Sequence, residues 1–220
     1  MSLRYYYERF GEGPYRVLFK LEFEEDLLRK KKWMQENPDQ PKDKLPELEL
    51  YGPHRIMLRL AHLDDMPHSV NTFLHNVKLQ LYNGVEFYAS PSHVSVTRTK
   101  QNVLDTFEAA QKPRLAFPEY SDKMPHERYT IGFAGRPSGP DFYINLLDNT
   151  ELHGPGGQKQ YILNNHADPC FAKVIAGIDA VERLMKSEKL DPKKDDGILK
   201  NPVKIVATRI LKPDEFPNNK

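Results

Sequence analysis

The chain has 220 residues, of which 39% are hydrophobic and 29% are charged, a size that suits one large domain or one domain with a long insertion. Its 32 basic and 31 acidic residues leave a net charge of +1, which provides no bulk attraction to nucleic acid or to an anionic membrane. A single cysteine, Cys170, excludes an intrachain disulfide and a thiolate zinc site.

Membrane and targeting signals are absent from the sequence pattern. No stretch is long and apolar enough to cross a bilayer. The opening residues MSLRYYYERF also lack the apolar segment of a signal peptide. We therefore expect no membrane contact from this chain, and the sequence leaves its cellular compartment open.

Two predicted strands open the chain, separated by a charged segment. Apolar and polar residues alternate in YRVLFKLEFE (15–24) and again in HRIMLRLA (54–61), and this period of two predicts strands with one buried face. The charged insertion between them covers about 24–52. Within it we expect a short helix at 24–36 that folds back on the sheet or forms a docking surface, with Trp33 as its anchor.

One helix, several strands and a second helix follow. Pro67 fits the first turn of a helix, where its missing N–H loses no hydrogen bond, and apolar residues follow at helical spacing. The other predicted elements are strands in NGVEFYASPSHVSV (83–96), YTIGFAG (129–135), DFYINL (141–146) and VKIVATRIL (203–211), and a helix in GIDAVERLMKSE (177–188). Without an internal repeat, this order predicts a closed antiparallel barrel with helices covering its ends.

Motifs for cofactors, metals and nucleophiles find little support. GPGG (154–157) lacks the lysine of a phosphate-binding loop and does not lead from a strand into a helix. His153 and His166 flank a loop and could hold a metal in principle, but no supporting acidic motif follows them. No serine stands in a G-x-S-x-G turn. We expect no metal and no cofactor, and the residues alone name no reaction.

Several local motifs occur in an order shared with a known family. They are MPHSVNTF (66–73), YNGVEFYAS (82–90), FPEY (117–120) followed by His126, YTIGFAG (129–135), GPDFYI (139–144) and DPCFAKVIAGIDAVERL (168–184). Together they resemble the cyclophilin-type peptidyl-prolyl isomerases. The resemblance implies a mainly β fold, a closed antiparallel eight-stranded barrel capped by two α-helices, over about 15–211 of a single domain 1–220.

The resemblance also implies a groove that holds an extended peptide and twists its X–Pro bond. The uncatalysed barrier is about 20 kcal/mol, and the family lowers it with an arginine that donates toward the proline nitrogen. Ala89 stands at the arginine position and Tyr88 at the neighbouring histidine. Two alternatives stay open, in which Arg98 or Arg136 replaces the missing donor.

The other positions carried over from the family motif also differ in residue type. They are Val94 and Ser95 for a phenylalanine–methionine wall, Thr97 and Asp141 for two glutamines, Tyr143 for the phenylalanine that floors the proline pocket, Leu163 for a rim tryptophan, Asp168 for a histidine and Phe133 for a methionine. Because barrel motifs survive while groove motifs change, the sequence predicts a divergent protein- or peptide-binding domain with weak or absent isomerase activity.

The expected partner is therefore a protein or an extended peptide, proline-containing peptides included. The negative charge of Asp141 favours basic or hydroxyl-bearing peptides over plain proline motifs. Two other functions remain open: an active isomerase that uses Arg136 or Arg98, and an interaction scaffold that acts through the insertion around Trp33. In the second case Trp33 contacts a partner, whereas otherwise it seals the protein's own core.

Overall fold

The structure is a computed structural model that describes residues 10, 13–41, 54–90, 94–98, 115, 117–134, 139–157, 166–189, 191, 193, 198–212 and 215, with the backbone alone for 94–98. The strands of this described part are β1 (Arg16–Glu22), β2 (Arg55–Leu60), β3 (Glu86–Ala89), β4 (Val94–Arg98), β5 (Thr130–Phe133), β6 (Phe142–Asn145), β7 (Cys170–Ala176) and β8 (Lys204–Leu211). Its helices are α1 (Glu24–Glu36), α2 (Pro67–Lys78), α3 (Thr150–His153) and α4 (Ile178–Lys186). None of these helices is long and apolar enough to span a membrane.

A single antiparallel sheet, curled on itself, forms the body of the molecule. Its strands pair in the order β1-β2-β7-β5-β6-β4-β3-β8, and β8 pairs along its length with β1. The contact between β3 and β8 is short and places Glu86 opposite Lys204. The prediction of a mainly β fold with a curled antiparallel sheet and few helices is confirmed.

Aromatic residues fill the interior of the curled sheet. Phe73 of α2 is fully buried, and its ring centroid lies 4.9 Å from that of Phe171, 5.8 Å from that of Phe142 and 6.1 Å from that of Phe19. Rings that meet at these tilted angles combine a large buried apolar area with favourable edge-to-face contacts. The inward-facing alternate residues of the strands and the apolar stripe of α2 therefore share one core.

The loop before β5 is tied to the start of α2. Pro67 occupies the first turn of the helix, as the sequence predicts. The buried carboxylate of Glu119 accepts the backbone N–H groups of His68 at 3.0 Å and Ser69 at 2.7 Å. These are two of the N–H groups that a helix leaves unsatisfied at its N-terminus, and a carboxylate there also suits the helix dipole. This cap fixes the loop that carries His126.

The insertion begins with α1, which confirms the helix predicted within 24–36. Its first turn is attached to α4, because the buried carboxylate of Asp26 accepts a hydrogen bond from Arg183 at 3.3 Å. The guanidinium of Arg183 also lies 3.8 Å from the ring centroid of Phe23. Trp33 is half-buried, so its role as an anchor stays a prediction. The part of the insertion beyond residue 41 lies outside the described residues.

Candidate functional site

The register of β3, β4, β6 and β5 aligns one row of residues across the outside of the sheet. Tyr88 lies opposite Val96, Val96 opposite Tyr143, and Tyr143 opposite Gly132. Residues directly opposite one another in an antiparallel pair share a face of the sheet. Phe142, the neighbour of Tyr143, belongs to the core, so Tyr143 belongs to the outer face.

A second row belongs to the inner face and contains Ala89. Ala89 lies opposite Ser95, Ser95 opposite Ile144, and Ile144 opposite Ile131. Ala89 has 0% exposure and packs in the core cluster together with both isoleucines. In this structure Ala89 is therefore a small core residue, and a long charged side chain could not leave this position without crossing apolar packing.

Tyr143 lies flat against the sheet because its cross-strand neighbour is glycine. A Cβ atom at Gly132 would lie 2.5 Å from the Tyr143 hydroxyl and 2.6 Å from its ring carbon, distances that side chains do not adopt. Tyr143 as a whole residue is 3% exposed, and two histidines lie against its ring. The centroid of His153 lies 4.9 Å from that of Tyr143 and the centroid of His126 lies 6.0 Å from it, both with nearly parallel rings.

His126 is held as a neutral imidazole between two partners. Its Nε2 lies 2.9 Å from the carbonyl oxygen of Asp168, which can only accept, so Nε2 carries the proton. Its Nδ1 then accepts the Tyr143 hydroxyl at 3.3 Å and the Asn145 amide at 3.4 Å. The pKa of His126 is lowered to about 4, chiefly by burial and to a lesser extent by nearby His153, against the opposite effect of Asp168.

His153 reaches the same place from α3. Its Nδ1–H donates to the Asp168 carboxylate at 2.9 Å, and the backbone N–H of Asp168 donates to the His153 carbonyl at 2.9 Å. Both side chains are largely buried, with exposures of 15% and 8%. The ring of His153 therefore touches an aromatic face on one side and a carboxylate at its edge.

A chain of buried polar groups stiffens the floor beneath these rings. The amide of Asn145 donates to the Thr130 hydroxyl at 3.0 Å, and that hydroxyl donates to the carbonyl of Glu127 at 2.6 Å. The side-chain amide of Asn149 in turn donates to the side-chain oxygen Oδ1 of Asn145 at 2.9 Å. Because a satisfied buried network specifies one arrangement, β5, β6 and the loop before α3 form one rigid platform.

Most of the chain matches a known protein family. The model for the cyclophilin type peptidyl-prolyl cis-trans isomerase/CLD family matches residues 48–210, well over half of the chain. The chain belongs to the cyclophilin family. A curated relative, a peptidyl-prolyl cis-trans isomerase of Acinetobacter baylyi, is 28% identical over 153 residues, which span 66% of this chain and 74% of that protein.

Solved cyclophilin structures share the fold. A crystal structure of a cyclophilin type peptidyl-prolyl cis-trans isomerase of Cryptosporidium parvum aligns with a TM-score of 0.59 at 12% identity, over 90% of this chain and 98% of that one. A second structure of that isomerase, in the presence of the dipeptide Ala-Pro, aligns with a TM-score of 0.55 at 14% identity, over 72% of this chain and 94% of that one. These two likenesses show the cyclophilin fold.

The structure brings together only part of the groove expected from the cyclophilin motif. Tyr143 and Asp168 meet around the two histidines, and Tyr88 lies in the row of Tyr143. Asp141 is half-buried beside β6, and its carbonyl accepts the backbone N–H of Ala134 at 2.8 Å. The platform at Tyr143 is therefore the part of the expected groove that the structure describes in most detail.

One further expected groove residue packs in the core, and two others occupy register positions opposite core residues. Phe133 is fully buried, lies opposite Phe142 and stacks on Phe171 with ring centroids 4.3 Å apart, so it packs in the core. Ser95 and Thr97 occupy register positions opposite Ala89 and Phe87, which are both core residues. The reason is the period of two, because one face of β3 and one face of β5 belong to the interior of the curled sheet.

Four expected positions cannot be compared. Leu163 and Arg136 lie outside the described residues, and for Arg98 and Val94 the structure gives the backbone of β4 alone. The sequence left His153 and His166 open as a metal pair in principle only, and in the structure His153 pairs with Asp168. Among the described residues no group of three or more histidine, cysteine or acidic side chains could hold a metal.

Sequence reasoning missed the roles of His126 and His153 at this site. In the sequence, His126 is only part of the motif order shared with the family, and His153 is only one of two histidines that could hold a metal in principle. The alternation of DFYINL does place Tyr143 on the opposite face from Phe142, which is the one local signal for the site. A separate surface pocket of about 710 Å³ runs along α4, and no residue of the Tyr143 site lines it.

Proposed function

We propose that this cyclophilin-type chain binds a protein or an extended peptide, proline-containing peptides included, and that its peptidyl-prolyl isomerase activity is weak or absent. Binding runs along the outer face of β4, β6 and β5, beside Tyr143. The near-zero net charge supports a peptide over a nucleic acid as the ligand. We also propose that the curled sheet closes as a complete eight-stranded barrel, for which the pairing of β3 with β8 is the support.

The observation that carries the proposal is the position of Ala89. The family motif assigns this residue to the catalytic arginine, and here it is a buried alanine in the core. Loss of one donor from a preorganised site costs about 3 kcal/mol of barrier, or roughly a hundredfold in rate. Ala89 itself offers no hydrogen bond to the amide nitrogen of a twisted X–Pro bond.

The covering of Tyr143 supports the same conclusion. The motif assigns Tyr143 to the floor of the proline pocket, yet only 3% of the residue is exposed under His126 and His153. A proline ring can reach this floor only after His153 has moved. Displacing a stacked ring and its hydrogen bond to Asp168 lowers the affinity for proline, because part of the binding energy is used to open the site.

An isomerisation assay tests this function. Ala-Pro, the dipeptide in one crystal of the Cryptosporidium parvum cyclophilin, is extended to a blocked tetrapeptide, and its cis–trans exchange is measured by NMR with and without the protein. We expect a rate at least about a hundredfold below that of a cyclophilin that has the arginine. A comparable rate would overturn the proposal, and Arg98→Ala and Arg136→Ala would then show which arginine serves.

A second candidate function is an interaction scaffold built on α1. Large apolar side chains are exposed on this helix, with 37% for Leu27, 55% for Leu28 and 38% for Met34. The variant Leu28→Glu is compared in a pull-down with Leu79→Glu, which changes an exposed leucine at the end of α2. Loss of a bound protein with the first variant alone favours the scaffold, whereas equal recovery with both excludes it.

A further inference from the structure

The contacts that His153 makes with Tyr143 and Asp168 are contacts that a bound ligand could also make. Its flat ring stacks on Tyr143 with centroids 4.9 Å apart and planes 28° apart, and an N–H at its edge donates to Asp168 at 2.9 Å. We infer that Tyr143 and Asp168 form a subsite for a planar, N–H-donating side chain of a bound peptide, arginine first of all, and that His153 of the chain itself occupies it.

The subsite stays in place when His153 leaves it. Tyr143 is fixed from below by Gly132 and from the side by its hydrogen bond to His126. Asp168 is fixed through its backbone carbonyl, which accepts the Nε2–H of His126 at 2.9 Å. Neither set of contacts involves the ring of His153. A ligand that displaces this ring therefore meets an aromatic face and a carboxylate already set for it, which reduces the cost of ordering the site.

Among natural side chains, arginine matches this pair of features best. A guanidinium is planar, stacks on an aromatic face and presents N–H groups in its own plane, as the imidazole of His153 does. Its hydrogen bonds to a carboxylate are charge-assisted and can be bidentate. Lysine offers a point charge that cannot lie flat on Tyr143, and a proline ring has no donor for Asp168. A proline peptide would leave that largely buried carboxylate without the donor that it now has.

The element that carries His153 is short enough to move. The helix α3 is a single turn, Thr150–His153, and Leu152 on it is 45% exposed. A single turn has almost no helical stability of its own. Besides the contacts of His153 with Asp168, Tyr143 and the ring of His126, the contacts of α3 are local: backbone hydrogen bonds to Asn149 directly before it, and the Thr150 N–H that donates to the Asp148 carboxylate at 3.0 Å. An outward rotation of α3 therefore leaves the platform of β5 and β6 unchanged.

This inference rests on the proposed function, since it takes peptides to bind along this face. Three blocked tripeptides, Ala-Arg-Ala, Ala-Lys-Ala and Ala-Pro-Ala, are titrated by NMR against the wild type and His153→Ala. The matched control is His62→Ala, which removes an exposed histidine that pairs with Asp64 at 3.1 Å. The double variant His153→Ala with Asp168→Asn tests the carboxylate, since asparagine keeps the shape of the side chain and loses its charge.

We expect His153→Ala to bind the arginine peptide at least about tenfold more tightly than the wild type, a difference of about 1.4 kcal/mol. The lysine and proline peptides should gain much less, His62→Ala should gain nothing, and the double variant should lose the gain. An equal gain for the proline peptide would overturn the inference, because His153 would then be only a plug over a proline site, and the proposed function would stand.

The remaining outcomes are also decisive. If no peptide gains affinity while the proline peptide still binds beside Tyr143, the subsite is wrong and the proposed function survives. If no peptide binds any folded variant, both are wrong. Should His153→Ala fail to fold, argininamide is titrated into the wild type and followed by the side-chain nitrogen signals of its histidines. Shifts at His153 and not at His62 support the inference, and equal or absent shifts overturn it.

Discussion

Tyr143 owes its position to the absence of a side chain on the strand beside it. At Gly132 a methyl group would meet the Tyr143 hydroxyl at 2.5 Å and the backbone carbonyl of Pro169 at 2.9 Å. The tyrosine could swing away, but the backbone of Pro169 could not, so the glycine is needed for the close approach of two strands as well as for the ring. The position of Tyr143, the floor of the candidate groove, thus depends on Gly132, a residue that has no side chain.

We predict that Gly132→Ala destabilises the protein by about 1–3 kcal/mol, the usual cost of overpacking, and displaces the ring of Tyr143. Thermal unfolding and the NMR shifts of the Tyr143 ring measure the two effects. Gly13→Ala is the control, because its Cβ would lie at an ordinary 3.6 Å from its nearest neighbour. An unchanged midpoint together with an unchanged tyrosine spectrum would contradict the described packing.

The neutral state of His126 makes stability depend on pH. Its pKa is about 4 in the folded protein and 6.5 when the chain is unfolded, so only the unfolded chain takes up this proton between these values. The free energy of unfolding therefore falls as the pH decreases from 6.5 to about 4, by up to about 3 kcal/mol from this residue. Protonation also removes the lone pair on Nδ1 that accepts the Tyr143 hydroxyl.

We predict that His126→Gln is less stable than the wild type at pH 7, and that the difference shrinks toward pH 4. Glutamine does not titrate, and its amide can still donate to the carbonyl of Asp168, so the comparison isolates the proton of His126. Urea unfolding at pH 7, 5.5 and 4 measures the stability difference between the two proteins. Parallel stability curves for the two proteins would show that His126 takes up its proton alike in the folded and unfolded states.

Among the elements, α1 shows how a long insertion is held. The buried carboxylate of Asp26 and the guanidinium of Arg183 join its first turn to α4, and Glu25 at the rim pairs with the same guanidinium. Removing one partner of a buried ion pair leaves the other charge buried without compensation, at a cost of about 3–5 kcal/mol. An exposed pair on the same helix, Lys32 with Glu36, contributes almost nothing by comparison.

We predict that Arg183→Ala releases α1, lowers the free energy of unfolding by about 3 kcal/mol and shifts the fluorescence of Trp33 to the red. Trp33 is the only tryptophan and is half-buried, so its emission reports on this helix alone. Lys32→Ala, which breaks the exposed pair, serves as the control and should change neither property. A blue-shifted Trp33 spectrum that resists Arg183→Ala would show that Trp33, and not Arg183, anchors the insertion.

For the whole molecule, the curled sheet and α2 enclose one core, and the described inward-facing side chains of the strands belong to a single apolar cluster. Ala89 on β3 belongs to this core together with Phe87 two residues before it. The face of β3 that belongs to the interior is consequently fixed by the alternation along the strand. A substitution at Ala89 should therefore affect the global stability of the protein more than it affects the groove.

We predict that Ala89→Arg lowers the free energy of unfolding by several kcal/mol and does not create isomerase activity, because it buries a charge without a partner. Tyr88→Arg, on the outer face of the same strand, is the matched variant and should be far milder. Unfolding curves measure the stability of both variants, and the cis–trans exchange assay measures their isomerase activity. A stable Ala89→Arg protein with an increased isomerisation rate would show that this position faces the groove.

Much of the fold could be predicted from local sequence, and the candidate site only in part. The period of two in YRVLFKLEFE and VKIVATRIL matches β1 and β8 closely, and Pro67 marks the first turn of α2. Residue types also placed Tyr143 and Asp168 near a groove through the family motif. The motif could not show that Phe133 and Ala89 turn into the core, because that depends on pairing between distant strands.

By itself, the sequence determined the strands, the main helices and the family, since these depend on patterns among neighbouring residues. Only the tertiary structure decided which side chains meet at Tyr143. His126 and Asp168 are 42 positions apart, and the pairing of β5 with β6 and β7 brings them to one platform. No local sequence pattern predicts the contact between His126 and Asp168, because burial and hydrogen bonding between distant segments exist only after the sheet has curled.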